Sequence, residues 1–133
     1  MANLQKGILD KVKRYLDNRG YTYEVIVVDD GSDDGSREFV KSFSKENNTF
    51  RLIENNHTGK AGAVTGGMLE AVGERILFTD MDQATPIEEL EKFLPFFEKG
   101  YDLVIGSRNT TRKSAPITRK IMAQDMIFLR STI

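Results

Sequence analysis

The hydrophobic positions along the chain follow two periods, one typical of helices and one typical of buried strands. Residues 4–19 carry apolar side chains at spacings of three and four, and Gly20 follows as a stop, so an amphipathic helix is predicted there. Residues 23–28 are nearly all β-branched or aromatic, which is typical of a strand buried on both faces of a parallel sheet. A helix next to a doubly buried strand favours an α/β protein.

The same alternation continues through the rest of the chain. Further strands are predicted at 50–53, 75–79 and 102–106, and further helices after Ser36, over 61–72, from Thr85 to 99 and over 117–133. We expect Ser36 and Thr85 to cap their helices. Strands that alternate with helices predict a mostly parallel sheet flanked by helices, the α/β fold class, with residues 1–133 as a single domain.

Three glycines lie within or at the start of the third predicted helix, where each lowers the helix propensity. They are Gly62, Gly66 and Gly67. Either another backbone or a ligand approaches the helix at these positions, or the helix packs tightly on the sheet. The sequence leaves both explanations open.

Composition narrows the classes of function. Nineteen basic and twenty acidic residues nearly cancel, so no nucleic-acid partner is expected. The chain has no cysteine and one histidine, so any metal must be held by oxygen atoms. No apolar run reaches the length of a membrane span and no signal peptide is recognised. We expect a cytoplasmic protein, with the cytoplasmic face of a membrane as a further option.

Two carboxylates follow the predicted strand at 75–79. In an extended segment alternate side chains lie on the same side, so Asp80 and Asp82 are predicted to lie next to each other. Like charges at close range need a cation between them, and oxygen ligands suit Mg²⁺ or Mn²⁺. The alternative for an isolated Asp-x-Asp sequence is an acidic, solvated loop.

Polar side chains also follow the other predicted strands. Ligands of parallel α/β sheets bind beyond the carboxyl ends of the strands, so these side chains are candidates for one site. They are Asp29, Asp30, Lys60, Asp80, Asp82, Ser107 and Arg108. Structural alternatives stay open for some of them, because Lys60 could be a surface lysine and one aspartate of the pair could cap the turn. We expect His57 to be exposed rather than catalytic, and Asp33 and Asp34 to be solvated.

Four motifs in order resemble the GT-A glycosyltransferases of family 2. They read VVDDGSDDGS at 27–36, GKAGAV at 59–64, DMD at 80–82 and VIGSR at 104–108. The similarity covers roughly residues 21–130 and is greatest to the branch that transfers a sugar to dolichyl or other polyprenyl phosphates, particularly the glucosyltransferases. The resemblance implies a Rossmann-like GT-A core that uses a UDP-sugar.

The resemblance also implies a role for each candidate. One carboxylate of the Asp29–Asp30 pair would bind uracil, Lys60 would lie near the nucleotide or its phosphates, and Asp80 with Asp82 would hold sugar hydroxyls and Mg²⁺ or Mn²⁺. Ser107 and Arg108 would bind substrate. Arg108 would contact the acceptor phosphate, which the forked donors of arginine suit, with Arg112 and Lys113 as weaker candidates. Asp82 and Arg108 are the expected catalytic residues of an inverting hexosyl transfer, with glucose as the expected sugar.

The chain departs from the family pattern at both ends. Family members carry an apolar strand before the position of the first predicted helix and further elements beyond residue 133, so we expect a partial domain. An exposed sheet edge would favour self-association, and the basic segment near Arg112 would suit contact with anionic lipid.

Two other functions stay open. A haloacid dehalogenase-type phosphatase is suggested by residues 77–82, which resemble the nucleophile motif of that class. The other alternative is a non-catalytic fragment that binds nucleotide or serves as an assembly module.

Overall fold

A computed structural model describes residues 7–106 and 129–131. The helices are α1 (Ile8–Arg19), α2 (Ser36–Glu46), α3 (Gly59–Glu70) and α4 (Leu94–Glu98), with a 3-10 helix at Ile87–Lys92. The strands are β1 (Val25–Asp29), β2 (Phe50–Glu54), β3 (Arg75–Leu77), β4 (Leu103–Val104) and β5 (Leu129–Ser131). The predicted α/β class is confirmed.

The described residues belong to two compact units. Of these, the first unit comprises residues 7–73 with Met81–Ile87, and the second comprises Glu74–Asp80 with residues 88–106 and 129–131. In the first unit β1 and β2 pair in parallel, from Val25 opposite Phe50 to Asp29 opposite Glu54. Helix α3 packs on β1 and α2 packs on β2. The predicted parallel pairing of these strands is therefore confirmed, and their carboxyl ends lie at the same edge.

The core of the first unit joins its helices to its two strands. One residue from each of α1, β1, α2 and β2 is buried there, namely Leu9, Val27, Val40 and Phe50. The ring of Phe50 meets Phe43 and Tyr23 edge to face, an arrangement that aromatic rings favour. Met81 packs against the same cluster, so the residue between the two aspartates of the DMD motif anchors that segment to the first unit.

Gly67 shows why the third helix is rich in glycine. A Cβ atom at this position would lie 2.9 Å from Cγ2 of Val28 in β1. The missing side chain lets α3 approach the strand closely, so for this glycine the structure supports tight packing of helix on sheet.

The second unit contains an antiparallel sheet in which β5 lies between β3 and β4. Phe93 and Phe97 form its small core together with side chains from β3 and β4. A helix was predicted over 117–133, but Leu129–Ser131 form a strand, so that prediction is wrong for these three residues. Backbone pairing with β3 and β4 outweighs the apolar periodicity there. Residues 117–128 and 132–133 of that predicted helix lie outside the described residues.

The helix predicted from Thr85 to 99 is broken in two. A 3-10 helix ends at Lys92, and α4 begins at Leu94 with Pro95 in its first turn. Proline has no N–H to donate and its ring clashes with the preceding turn, so a continuous helix cannot pass through this position. Within the described residues, no helix is both long and apolar enough to cross a membrane.

Candidate functional site

Asp29 ends β1 and is buried, with 8% of its surface exposed. Its Oδ2 accepts hydrogen bonds from the Gly31 N–H (3.1 Å) and from Nε of Arg37 (2.6 Å), and the Ser32 N–H lies 3.1–3.2 Å from both oxygens. Burial alone raises the pKa of Asp29, but the hydrogen bonds from Ser32, Arg37 and Gly31 outweigh it and lower the pKa to about 2. Asp29 is therefore ionised and holds the loop that follows β1.

Asp30 faces the start of α3. Its Oδ1 accepts the Thr58 N–H at 2.8 Å and the Thr58 hydroxyl at 3.1 Å, and its Oδ2 accepts the Gly59 N–H at 2.7 Å. The N–H of Thr58 is the main cause of the lowered pKa of Asp30. These bonds join two segments at the carboxyl ends of β1 and β2, and they leave the carboxylate ionised at neutral pH.

His57 lies beside this carboxylate. A Cβ atom on Gly31 would be 2.1 Å from Cε1 of His57 and 2.4 Å from Nε2, so the imidazole packs directly on the Gly31 backbone. Both residues have positive φ angles, 48° for His57 and 103° for Gly31. The left-handed conformation is common for glycine and uncommon for a bulky residue. His57 is exposed, as predicted.

Lys60 is the second residue of α3 and is exposed at the same edge of the sheet.

The capping of α2 differs from the prediction. Ser36 is the first residue of that helix, and its N–H and hydroxyl both donate to Oδ1 of Asp34. Asp34 therefore provides the capping carboxylate, because an acceptor must precede the free N–H groups of the first turn.

The DMD segment does not have the predicted geometry. Strand β3 ends at Leu77, so the strand that should have aligned Asp80 with Asp82 stops before either residue. Asp80 is half-buried, whereas Asp82 is exposed and its Oδ1 accepts the Ala84 N–H at 2.9 Å. Asp80 belongs to the second unit and Asp82 to the first. The hydrogen bond between the Asp82 carboxylate and the Ala84 N–H closes a turn, as is typical of aspartate outside regular structure.

A divalent metal is compatible with the donor atoms of this segment. Within residues 7–106, no group of three or more histidine, aspartate or glutamate side chains is arranged to hold a metal ion. Mg²⁺, however, usually retains water and is bound through one or two carboxylates together with substrate phosphates. Two aspartates with oxygen donors fit that requirement, and the ligation of a metal by Asp80 and Asp82 stays a prediction.

Several predicted site residues lie outside the described residues, namely Ser107, Arg108, Arg112 and Lys113. The structure also identifies two residues that sequence reasoning missed, Arg37 and Thr58. The only signal for Arg37 was its position one residue after the VVDDGSDDGS motif. Thr58 had a comparable signal, since it directly precedes the GKAGAV motif.

Parallel strands whose carboxyl ends carry ionised aspartates define an α/β protein with a polar edge. The chain belongs to glycosyl transferase family 2, whose family model matches residues 2–129. The predicted family resemblance is confirmed. The haloacid dehalogenase alternative is not favoured by this match.

Curated relatives include enzymes that act on two kinds of polyprenyl phosphate. A dolichyl-phosphate beta-glucosyltransferase ALG5A of Trichomonas vaginalis is 36% identical over 132 residues, which cover 90% of this chain and 41% of the relative. A dolichyl-phosphate beta-glucosyltransferase of Drosophila melanogaster is 39% identical over 96 residues, covering 65% and 29% respectively. An undecaprenyl-phosphate 4-deoxy-4-formamido-L-arabinose transferase of Proteus mirabilis is 33% identical over 95 residues, covering 70% and 29%. The chain thus spans less than half the length of these relatives.

Proposed function

We propose that the chain is the nucleotide-sugar-binding part of an inverting hexosyltransferase that moves glucose from a UDP-sugar to a polyprenyl phosphate. The membership in family 2 and the names of the relatives support the class of reaction and the acceptor. Two dolichyl-phosphate glucosyltransferases among these relatives favour glucose. The observation that carries the proposal is the ionised carboxylate of Asp30 at the carboxyl edge of the parallel strands.

The hydrogen bonds of the two aspartates support a division of roles within the pair. Asp29 is buried, so a ligand does not reach its oxygens, and its hydrogen bonds with Gly31, Ser32 and Arg37 give it the role of positioning the loop. Asp30 is more exposed and accepts three hydrogen bonds, whereas a carboxylate has about four acceptor sites. An ionised carboxylate only accepts hydrogen bonds, which matches the N–H of a uracil imide. We therefore assign the uracil contact to Asp30.

The remaining roles follow from charge. Lys60 is an exposed cation at the same edge and would attract the diphosphate of the donor. Asp80 and Asp82 would hold Mg²⁺ or Mn²⁺, and such an ion, when bound, supplies positive charge that stabilises the departing UDP. Arg108 with Ser107 would bind the acceptor phosphate. That phosphate is already ionised at neutral pH, so it needs orientation more than a base.

The acceptor also implies a location. A polyprenyl phosphate resides in a lipid bilayer, so the transfer would take place at a membrane surface that the protein contacts peripherally. The basic residues Arg112 and Lys113 are candidates for that contact, because clustered basic side chains bind anionic lipid headgroups.

Calorimetry with UDP and Mn²⁺ tests the nucleotide part of the proposal, with Asp30→Asn as the variant and Asp33→Asn as the matched control. Asp30→Asn should weaken UDP binding roughly tenfold or more, because a hydrogen bond to a charged group contributes about 1.5–3 kcal/mol. Asp33→Asn should bind UDP as the unchanged chain does. Circular dichroism would show that both variants are folded.

The transfer itself is tested with labelled UDP-glucose and dolichyl phosphate, by following the label into the organic phase. Label in the lipid fraction that depends on the divalent metal would support the proposal. If the unchanged chain does not bind UDP in the presence of Mn²⁺, the proposal is wrong.

A further inference from the structure

The imidazole of His57 has no role in the proposed function so far, although it lies at the candidate nucleotide site. It packs on Gly31, the residue that follows Asp30, and the next residue along the chain, Thr58, donates its N–H to Asp30. The ring and the carboxylate are therefore held side by side by the same turn. The lowered pKa of Asp30 is caused mainly by the hydrogen bond from the Thr58 N–H, and an electrostatic interaction with His57 is a smaller cause, which agrees with this proximity.

The backbone conformations of His57 and Gly31 together place the imidazole ring. His57 has a φ of 48°, and Gly31 has a φ of 103° and no side chain that could displace the imidazole. A bulky residue in the left-handed region costs conformational energy, and such residues persist where the surrounding structure holds them. The ring is nevertheless exposed to solvent, so it remains accessible to a ligand.

We propose that His57 is a nucleobase-contacting residue, with its imidazole against the pyrimidine whose imide N–H is bound by Asp30. The inference rests on the proposed function and adds a residue that selects for the base rather than for the phosphates. A flat ring beside a carboxylate acceptor matches the two features of uracil, a π-face and an imide N–H. Aromatic side chains stack on nucleobases in general, because every base has a π-face.

The chain offers an unusually direct test, because His57 is its single histidine and gives one unambiguous imidazole signal in proton NMR. Titration with UDP and Mg²⁺ should shift the Cε1–H resonance of His57 and produce nuclear Overhauser effects to H5 or H6 of uracil. Inorganic pyrophosphate with Mg²⁺ carries the phosphates without the base. It should produce neither effect.

Two variants of His57 distinguish the effect of its ring from the effect of its backbone conformation. His57→Asn keeps a residue that tolerates the left-handed conformation but removes the ring, and it should weaken UDP binding by roughly fivefold or more. His57→Phe keeps a flat ring and should bind UDP within about twofold of the unchanged chain. The affinity for pyrophosphate should be the same in all three proteins, whereas a purely structural role would weaken the binding of UDP and pyrophosphate alike.

The outcomes distinguish this inference from the proposed function. If UDP binds but shows no contact with the imidazole, and His57→Asn binds it unchanged, the role of His57 is refuted and the nucleotide site stands. If UDP does not bind to the unchanged chain at all, both are wrong.

Discussion

Replacing Asp29 with asparagine tests the charge that organises the loop after β1. The substitution preserves the shape of the side chain but removes the negative charge that accepts hydrogen bonds from Arg37, Gly31 and Ser32. The variant should fold with lower stability at neutral pH, and its stability should depend less on acid.

The size of the expected loss in stability follows from the pKa of Asp29. The pKa of Asp29 lies at about 2, below its ordinary value of 3.8, and this difference corresponds to roughly 2.4 kcal/mol of stability. Solvent screens the partner, since the side chain of Arg37 is 31% exposed, so we expect a loss of about 2 kcal/mol at pH 7. Because the folded pKa is lowered, this contribution is present above pH 3.8 and is lost as the pH falls towards 2.

The assay is urea unfolding at several pH values between 7 and 2.5, followed by tyrosine fluorescence. Three of the four tyrosines, Tyr15, Tyr21 and Tyr23, belong to the first unit, so the signal mainly reports on that unit. Asp33→Asn is the control, because Asp33 is exposed in the same loop and a surface change should alter stability by less than about 0.5 kcal/mol. The reasoning is refuted if both variants lose the same stability at pH 7. About a third of the gap between Asp29→Asn and the unchanged chain should remain at pH 2.5, because that pH is still above the folded pKa of about 2, and an undiminished gap there also refutes the reasoning.

Further predictions concern the packing of His57, the role of Lys60 and the free edge of β1. Gly31→Ala and its control Gly35→Ala should each lower the free energy of unfolding by about 1 kcal/mol, because both sites have positive φ. Only Gly31→Ala should shift the His57 NMR signal, because nothing lies within 4 Å of a Cβ at Gly35. An unmoved histidine signal in Gly31→Ala would contradict the described contact. Lys45, an exposed lysine in the last turn of α2, serves as the control. Lys60→Ala should weaken UDP binding more than Lys45→Ala does, and this difference should shrink at high salt in calorimetry. In the part of the chain that the structure describes, β1 pairs only with β2, so we expect the mass in light scattering to rise with concentration. A constant monomer mass at high concentration would refute self-association through that edge.

The first unit could largely be predicted from sequence because its signals are local. The β-branched run at 25–28 predicted a buried strand, and Gly20 ends α1 with a φ of 67° as a C-terminal glycine should. The identity of Asp29 and Asp30 as candidate site residues could also be read from their place after β1. Which of the two is buried could not, because that depends on Arg37 and on a turn 28 residues away.

The second unit was harder to predict because non-local pairing and one proline override its periodicity. The strand at Leu129–Ser131 forms only through its partners β3 and β4, which no local pattern reveals. Pro95 breaks a helix whose apolar stripe continues past it. The continuous helix was predicted from that stripe, without regard to the proline. The early end of β3 likewise removed the alternation from which the Asp80–Asp82 geometry was derived.

The hydrogen bonds that Asp30 accepts from Thr58 and Gly59 would make the proposed nucleotide binding depend on the fold of the chain. The carboxylate reaches its place only when the β1–α2–β2 crossover has returned the chain, 28 residues later, to the end of β1. An unfolded chain would not hold this acceptor in place. Under the proposed function, UDP would therefore bind the native form alone and should raise its melting temperature with concentration. At a hundred times its Kd such a ligand stabilises the native state by about 2.7 kcal/mol. Thermal unfolding in the presence of different nucleotides would therefore test the proposed binding and compare its affinity for each base.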